Sequence, residues 1–120
     1  MNGCVRLLHV LLPITFRMIK PPDVFIEFIV DTGFTGMLTL PAAAVARMGL
    51  PFLHRIPAQL ADGSFFEVAV HTATIVWNGV EIEARILATG ERPLLGTGLL
   101  DGSELLAQFR EGGLVTVDDL

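Results

Sequence analysis

Asn78-Gly79 falls between two apolar runs, Thr74–Trp77 and Val80–Leu87, and a two-residue loop of that composition turns a chain back on itself as an antiparallel hairpin. From Val80 to Ile86 the residues alternate. Val80, Ile82, Ala84 and Ile86 face one way and Glu81, Glu83 and Arg85 the other, which is the period of a half-buried strand. The same punctuation recurs along the chain. Ala61-Asp62-Gly63-Ser64 separates Ala58–Leu60 from Phe65–Val70, and Gly112-Gly113 separates Glu104–Phe109 from Leu114–Val117, so each reads as a further hairpin. Val5–Leu12 and Ile14–Ile19 are strand material, with Pro13 expected to force a bend or an edge position between them. Val24–Val30 is apolar on both faces except for Glu27 and reads as a central strand after the turn Pro21-Pro22-Asp23. Leu38–Leu40 is one more short apolar run.

Helix is confined to short pieces. Pro41 suits the start of a helix over Ala42–Met48, Gly49 suits its left-handed cap before Pro51, and Gly98–Leu100 suits a single helical turn. The expectation is an all-β chain, a small closed or folded β-barrel with one or two short helices, forming a single domain over residues 1–120.

Composition narrows the function. The chain is 52% hydrophobic, too apolar to stay disordered, and an excess of that kind in a short domain points to burial against a partner subunit. Eight Lys and Arg against 13 Asp and Glu give a net charge of −5, which excludes the counterion-releasing basic surface of unspecific nucleic-acid binding. The lone Cys4 excludes a disulfide scaffold and a thiolate metal cage, and His9, His54 and His71 show no metal-ligand spacing, so neither metal nor cofactor is expected. Val5–Ile19, the most apolar stretch, is interrupted by Arg6, His9, Pro13 and Arg17 and is no spanning helix. No small-x-small site follows it as in a signal peptide, and the expectation is a soluble, cytoplasmic protein without membrane partners.

Chemistry concentrates at Asp31-Thr32-Gly33. A carboxylate directly after Phe28-Ile29-Val30 is drawn toward the core, where an unpaired charge is costly, and Gly33 opens room for a tight turn. The plain reading is an Asx-turn that ends the strand, with Asp31 bonded to its own following backbone. A weak internal echo of this strand-and-turn unit occurs at Pro93–Gly98, and it carries no carboxylate.

From about Leu12 to Leu100 the order of motifs resembles the retropepsin-like aspartic proteases, in particular their small prokaryotic members. An apolar strand enters Asp31-Thr32-Gly33, Leu38-Thr39-Leu40-Pro41 and a short helix follow, and the hairpin at Asp62-Gly63-Ser64 stands where the family has its flap. Leu94-Leu95-Gly96-Thr97-Gly98-Leu99-Leu100 is similar to the family's element of two hydrophobics followed by glycine.

The resemblance implies a catalytic Asp31, with Thr32 bonding across a dimer axis and Gly33 offering its N–H to the carboxylate. It implies substrate contacts from Gly33, Phe34, Asp62, Gly63 and Leu95. In the family two such loops meet and their carboxyls share one proton, because like charges so close do not both ionise. The ionised member activates a water and the protonated one donates to the scissile carbonyl. This chain holds one such triplet, so the resemblance implies a homodimer with Leu114–Val117 in its shared sheet.

Phe34, Thr35 and Thr97 stand where viral members commonly carry a small residue, an acidic residue and an arginine, so both halves of that ion pair are absent together. Two functions are therefore expected in order: an aspartic endopeptidase, or a catalytically weak or inactive dimeric module that binds peptides or serves assembly, with Asp31 kept as a loop clasp.

Overall fold

The computed structural model describes residues 1–120. Its strands are β1 (Asn2–Arg6), β2 (His9–Arg17), β3 (Val24–Val30), β4 (Leu38–Leu40), β5 (Phe52–Gln59), β6 (Phe65–Trp77), β7 (Val80–Ala88), β8 (Leu94–Leu95), β9 (Ser103–Ala107) and β10 (Leu114–Asp119). Two short helices interrupt them, α1 (Ala42–Met48) and α2 (Thr97–Leu100). The β6–β7 hairpin turns at Asn78-Gly79 with Trp77 opposite Val80, both turn residues taking the positive φ that the turn demands.

The strands form one sheet in the order β5-β6-β7-β4-β8-β3-β2-β1-β10-β9, and Thr15–Arg17 of β2 also pairs with Thr74–Val76 of β6. That extra pairing closes a ring through β2, β3, β8, β4, β7 and β6, with β5 hanging from one side and β1, β10 and β9 from another. The expected closed sheet is therefore present as a ring of strands with two flanking extensions. The core lies inside the ring, where Phe16 stacks on Phe28 at 6.0 Å among Leu12, Ile14, Ile75 and Ile86, all wholly buried. Apolar burial of this kind is the main force holding a domain of this size together.

Pro13 does not divide two strands. It sits inside β2, between the stretch that pairs with β1 and the stretch that pairs with β6, so its missing N–H leaves neither of those ladders short. The break falls instead at Leu7-Leu8, a two-residue loop with Arg6 opposite His9 and positive φ at both leucines. Leu114–Val117 also lies differently from a dimer strand, because β10 has β1 on one side and β9 on the other within its own chain. The free edge on that side is β9.

Helix α1 begins after Pro41, which serves as its N-cap, and stops at Gly49, whose left-handed φ of 64° lets its N–H reach the carbonyls of Val45 and Ala46. Only Val45 of this helix is buried. No helix of the chain is long and apolar enough to cross a membrane.

Candidate active site

Strand β3 delivers Asp31 to the surface of the ring, and β8 holds it there. The two strands run parallel, with Ile29 beside Leu94 and Val30 beside Leu95, so the two halves of the sequence echo are hydrogen-bonded neighbours. The Asp31 N–H donates to the Leu95 carbonyl at 2.9 Å. Beyond it, the Gly96 N–H donates to the Met37 carbonyl at 2.9 Å, Thr97 N–H to Phe34 at 2.8 Å and Gly98 N–H to Gly36 at 3.1 Å. The Thr97 hydroxyl reaches the same Phe34 carbonyl at 3.3 Å. A loop tied by this many main-chain bonds is preorganised, as a site needing fixed geometry requires.

The Asp31 carboxylate is half-buried, and its Oδ1 accepts the Gly33 N–H at 2.9 Å while its carbonyl accepts the Phe34 N–H at 3.1 Å. This is the Asx-turn expected from the residues themselves. Thr32 and Gly33 are exposed. Thr32 borders an apolar groove of about 460 Å³ with Leu8, Val10, Val30, Leu105 and Phe109 among its walls.

Phe34 folds back over its own loop. A Cβ on Gly36 would meet the Phe34 ring at 2.5 Å, and a Cβ on Gly96 would meet the ring at 2.5 Å as well, so the bare faces of these two glycines make the ring's seat. Gly98 is close-packed in the same way, since a Cβ there would lie 2.7 Å from the Thr35 carbonyl oxygen. Sequence reasoning missed the role of Gly36, and its signal was available: glycines at 36, 96 and 98 flank a bulky Phe34 in a loop that otherwise favours small residues. Thr39 was missed too. It is buried in β4, and its hydroxyl accepts the Leu94 N–H at 3.1 Å, fixing the edge of β8 that carries Leu95.

Leu95 itself is wholly buried. It reaches the site through its carbonyl and not as a wall of a cleft. Asp62 and Gly63 lie elsewhere, at the tip of the β5–β6 hairpin, with no hydrogen bond to the Asp31 loop. There Asp62 Oδ1 accepts both the Ser64 N–H at 2.9 Å and the Ser64 hydroxyl at 2.6 Å, and these bonds hold its carboxyl below the ordinary carboxylate range. Gly63 takes a φ of 87° and donates to the Leu60 carbonyl at 3.0 Å. Phe65 and Phe66 beside this tip are exposed. No three His, Cys, Asp or Glu side chains converge as a metal site would require.

No family model and no curated protein matches this chain. Among solved structures it is similar to a retropepsin-like aspartic protease from Rickettsia conorii, with a TM-score of 0.60 and 19% sequence identity over 98% of this chain and 92% of that one. The fold of this chain is accordingly the retropepsin-like fold.

Proposed function

We propose that the protein is an aspartic endopeptidase that acts as a homodimer, each subunit supplying its Asp31 to one shared site. The observation that carries this reading is the Asp31 loop, a half-exposed carboxylate locked at the end of β3 by the Leu95–Gly98 segment, on a retropepsin-like fold. One carboxylate per chain supplies half of a proton-sharing pair, so a second copy completes it. In the dimer the ionised Asp31 takes a proton from a lone water while the other Asp31 donates to the oxygen of the scissile carbonyl. The water oxygen adds to the carbonyl carbon. As the C–N bond then breaks, the first Asp31 passes the proton it took from water to the leaving nitrogen, and a hydroxyl of the intermediate returns a proton to the second Asp31, restoring the pair. The Gly33 N–H steadies the carboxylate throughout.

The β5–β6 hairpin closes over an extended peptide and adds strand hydrogen bonds, with Asp62 and Gly63 at its tip. Phe34, seated on Gly36 and Gly96, borders the same loop and limits how closely the substrate approaches Asp31 on that side.

Cleavage is expected to be fastest at acid or mildly acid pH, and Asp31→Asn is expected to lower it by about 10²–10⁴-fold. A peptide library incubated with parent and variant measures this, and equal cleavage by the variant overturns the mechanism.

One observation favours the second reading, a dimeric peptide-binding or assembly module. The bond from Gly33 to Asp31 Oδ1 already gives the carboxylate a purely structural use. Tight peptide binding without turnover, indifferent to a pepstatin-type transition-state mimic, would establish that module and exclude the protease.

A further inference from the structure

Two neighbouring leucines occupy the one hairpin turn of this chain that is built from the wrong residues. The β6–β7 turn has Asn78 and Gly79 at its positive-φ positions, the pair such a turn prefers. The β1–β2 turn has Leu7 at φ 50° and Leu8 at φ 65°, a conformation that crowds an L side chain. Both leucines are also left in water, 81% and 73% exposed. Strain and exposed apolar surface at the same two residues are both unfavourable in a lone chain, and strain held in this way marks functional sites.

The turn is held rigidly. The Leu7 N–H donates to Glu111 at 3.0 Å, and Val5 exchanges main-chain bonds with Gly112 and Gly113. Leu8 forms part of the groove that also contains Thr32, and Phe109, 67% exposed, lines the same groove. Leu105 and Ala107 bring the free edge of β9 to this face, where its unpaired backbone groups carry only Glu104 as a charged guard.

We infer that this face, anchored by the Leu7-Leu8 turn, is the surface on which a second copy of the chain docks. The inference rests on the dimeric reading above and adds where the subunits meet. An interface around the Asp31 loops must extend well past those small loops, since stable interfaces bury about 800 Å² per partner. The apolar surface continuous with Thr32 is this groove, and a two-fold contact presents each turn's leucines to the partner's groove and each β9 edge to the partner's face. β10 does not take this part, being enclosed by β1 and β9.

The test replaces Leu7 and Leu8 by Asn and Gly in one variant, which relieves the strain and removes both side chains. Sedimentation over a concentration series is expected to show dimer affinity falling at least tenfold, while the melting temperature of the dilute, monomeric chain stays level or rises. Phe109→Ser, elsewhere in the groove lining, should weaken the dimer without involving the turn. If the parent dimerises and both variants dimerise equally well, this surface is wrong although the protease reading stands. If the parent cleaves peptides while monomeric at every concentration, the dimeric reading falls as well.

Discussion

A methyl group added at Gly96 has no place to go. It would collide with the Gly36 carbonyl oxygen and lie 2.5 Å from both the Phe34 ring and the Phe34 carbonyl oxygen, although the Gly96 φ of −102° suits any residue. The demand is steric and comes from backbone that the Asp31 loop has already fixed. Gly36 differs, because its added methyl would meet only the far side of the Phe34 ring, a group able to swing away. Gly96→Ala is therefore expected to destabilise the chain by about 1–3 kcal/mol, and Gly36→Ala by less. Adding Phe34→Ala to Gly36→Ala should recover most of the smaller loss, the non-additivity of touching residues. Denaturant midpoints of the single and double variants check the order, and equal losses at both glycines would refute this packing.

At the scale of elements, the β5–β6 hairpin depends on its own tip. Asp62 accepts two bonds from Ser64, and its carboxyl titrates below the ordinary carboxylate range because of them. A group whose folded value is depressed gives its support above the unfolded value and loses it as pH falls through the folded one. The charged clasp thus persists into the mildly acid range where cleavage is proposed. Amide exchange at Gly63 and Ser64 is expected to stay equally protected there once corrected for intrinsic rates, to rise in Asp62→Ala, and to leave the core strands unaffected. A tip in Asp62→Ala as protected as the parent's would show the clasp to be idle.

The other elements were legible to the extent that their turns used turn residues. Val24–Val30, Leu38–Leu40 and Ala42–Met48 match the expected bounds, and Asn78-Gly79 turns where its composition says. Leu7-Leu8 stayed hidden because leucine carries no turn signal, so Val5–Leu12 read as one strand and Pro13 received the break. The triplet Asp31-Thr32-Gly33 was visible as a motif. Its brace was only half visible, since Thr97 donates its N–H and hydroxyl to the Phe34 carbonyl and the Gly36 carbonyl accepts from Gly98, bonds to main-chain carbonyls that no residue pattern reports. Phe34 illustrates the same limit: its size was plain, but the seat on Gly36 and Gly96 depends on two segments far apart in sequence meeting side by side.

At the scale of the whole molecule, one question separates a site shared between chains from a site complete in each. Asp31 is the only carboxylate its loop presents, and the β8 segment beside it contributes carbonyls and glycines but no acid. If two Asp31 side chains make one site, a dimer of one parent chain and one Asp31→Asn chain holds a single carboxylate and lacks the proton-sharing pair. Equimolar parent and variant chains, refolded together so that subunits assort freely, then yield active pairs in about one dimer of four. Cleavage per parent chain should consequently fall to roughly half of that in the parent refolded alone at the same total chain concentration. Raising the variant to excess should drive it toward zero, since nearly every parent chain is then held in a mixed pair. A site complete within one chain behaves differently: the variant is a bystander, and cleavage per parent chain stays constant at every ratio. The titration needs no knowledge of the natural substrate, only a peptide that the parent cleaves, and a flat line across it would remove the shared carboxylate pair from this fold.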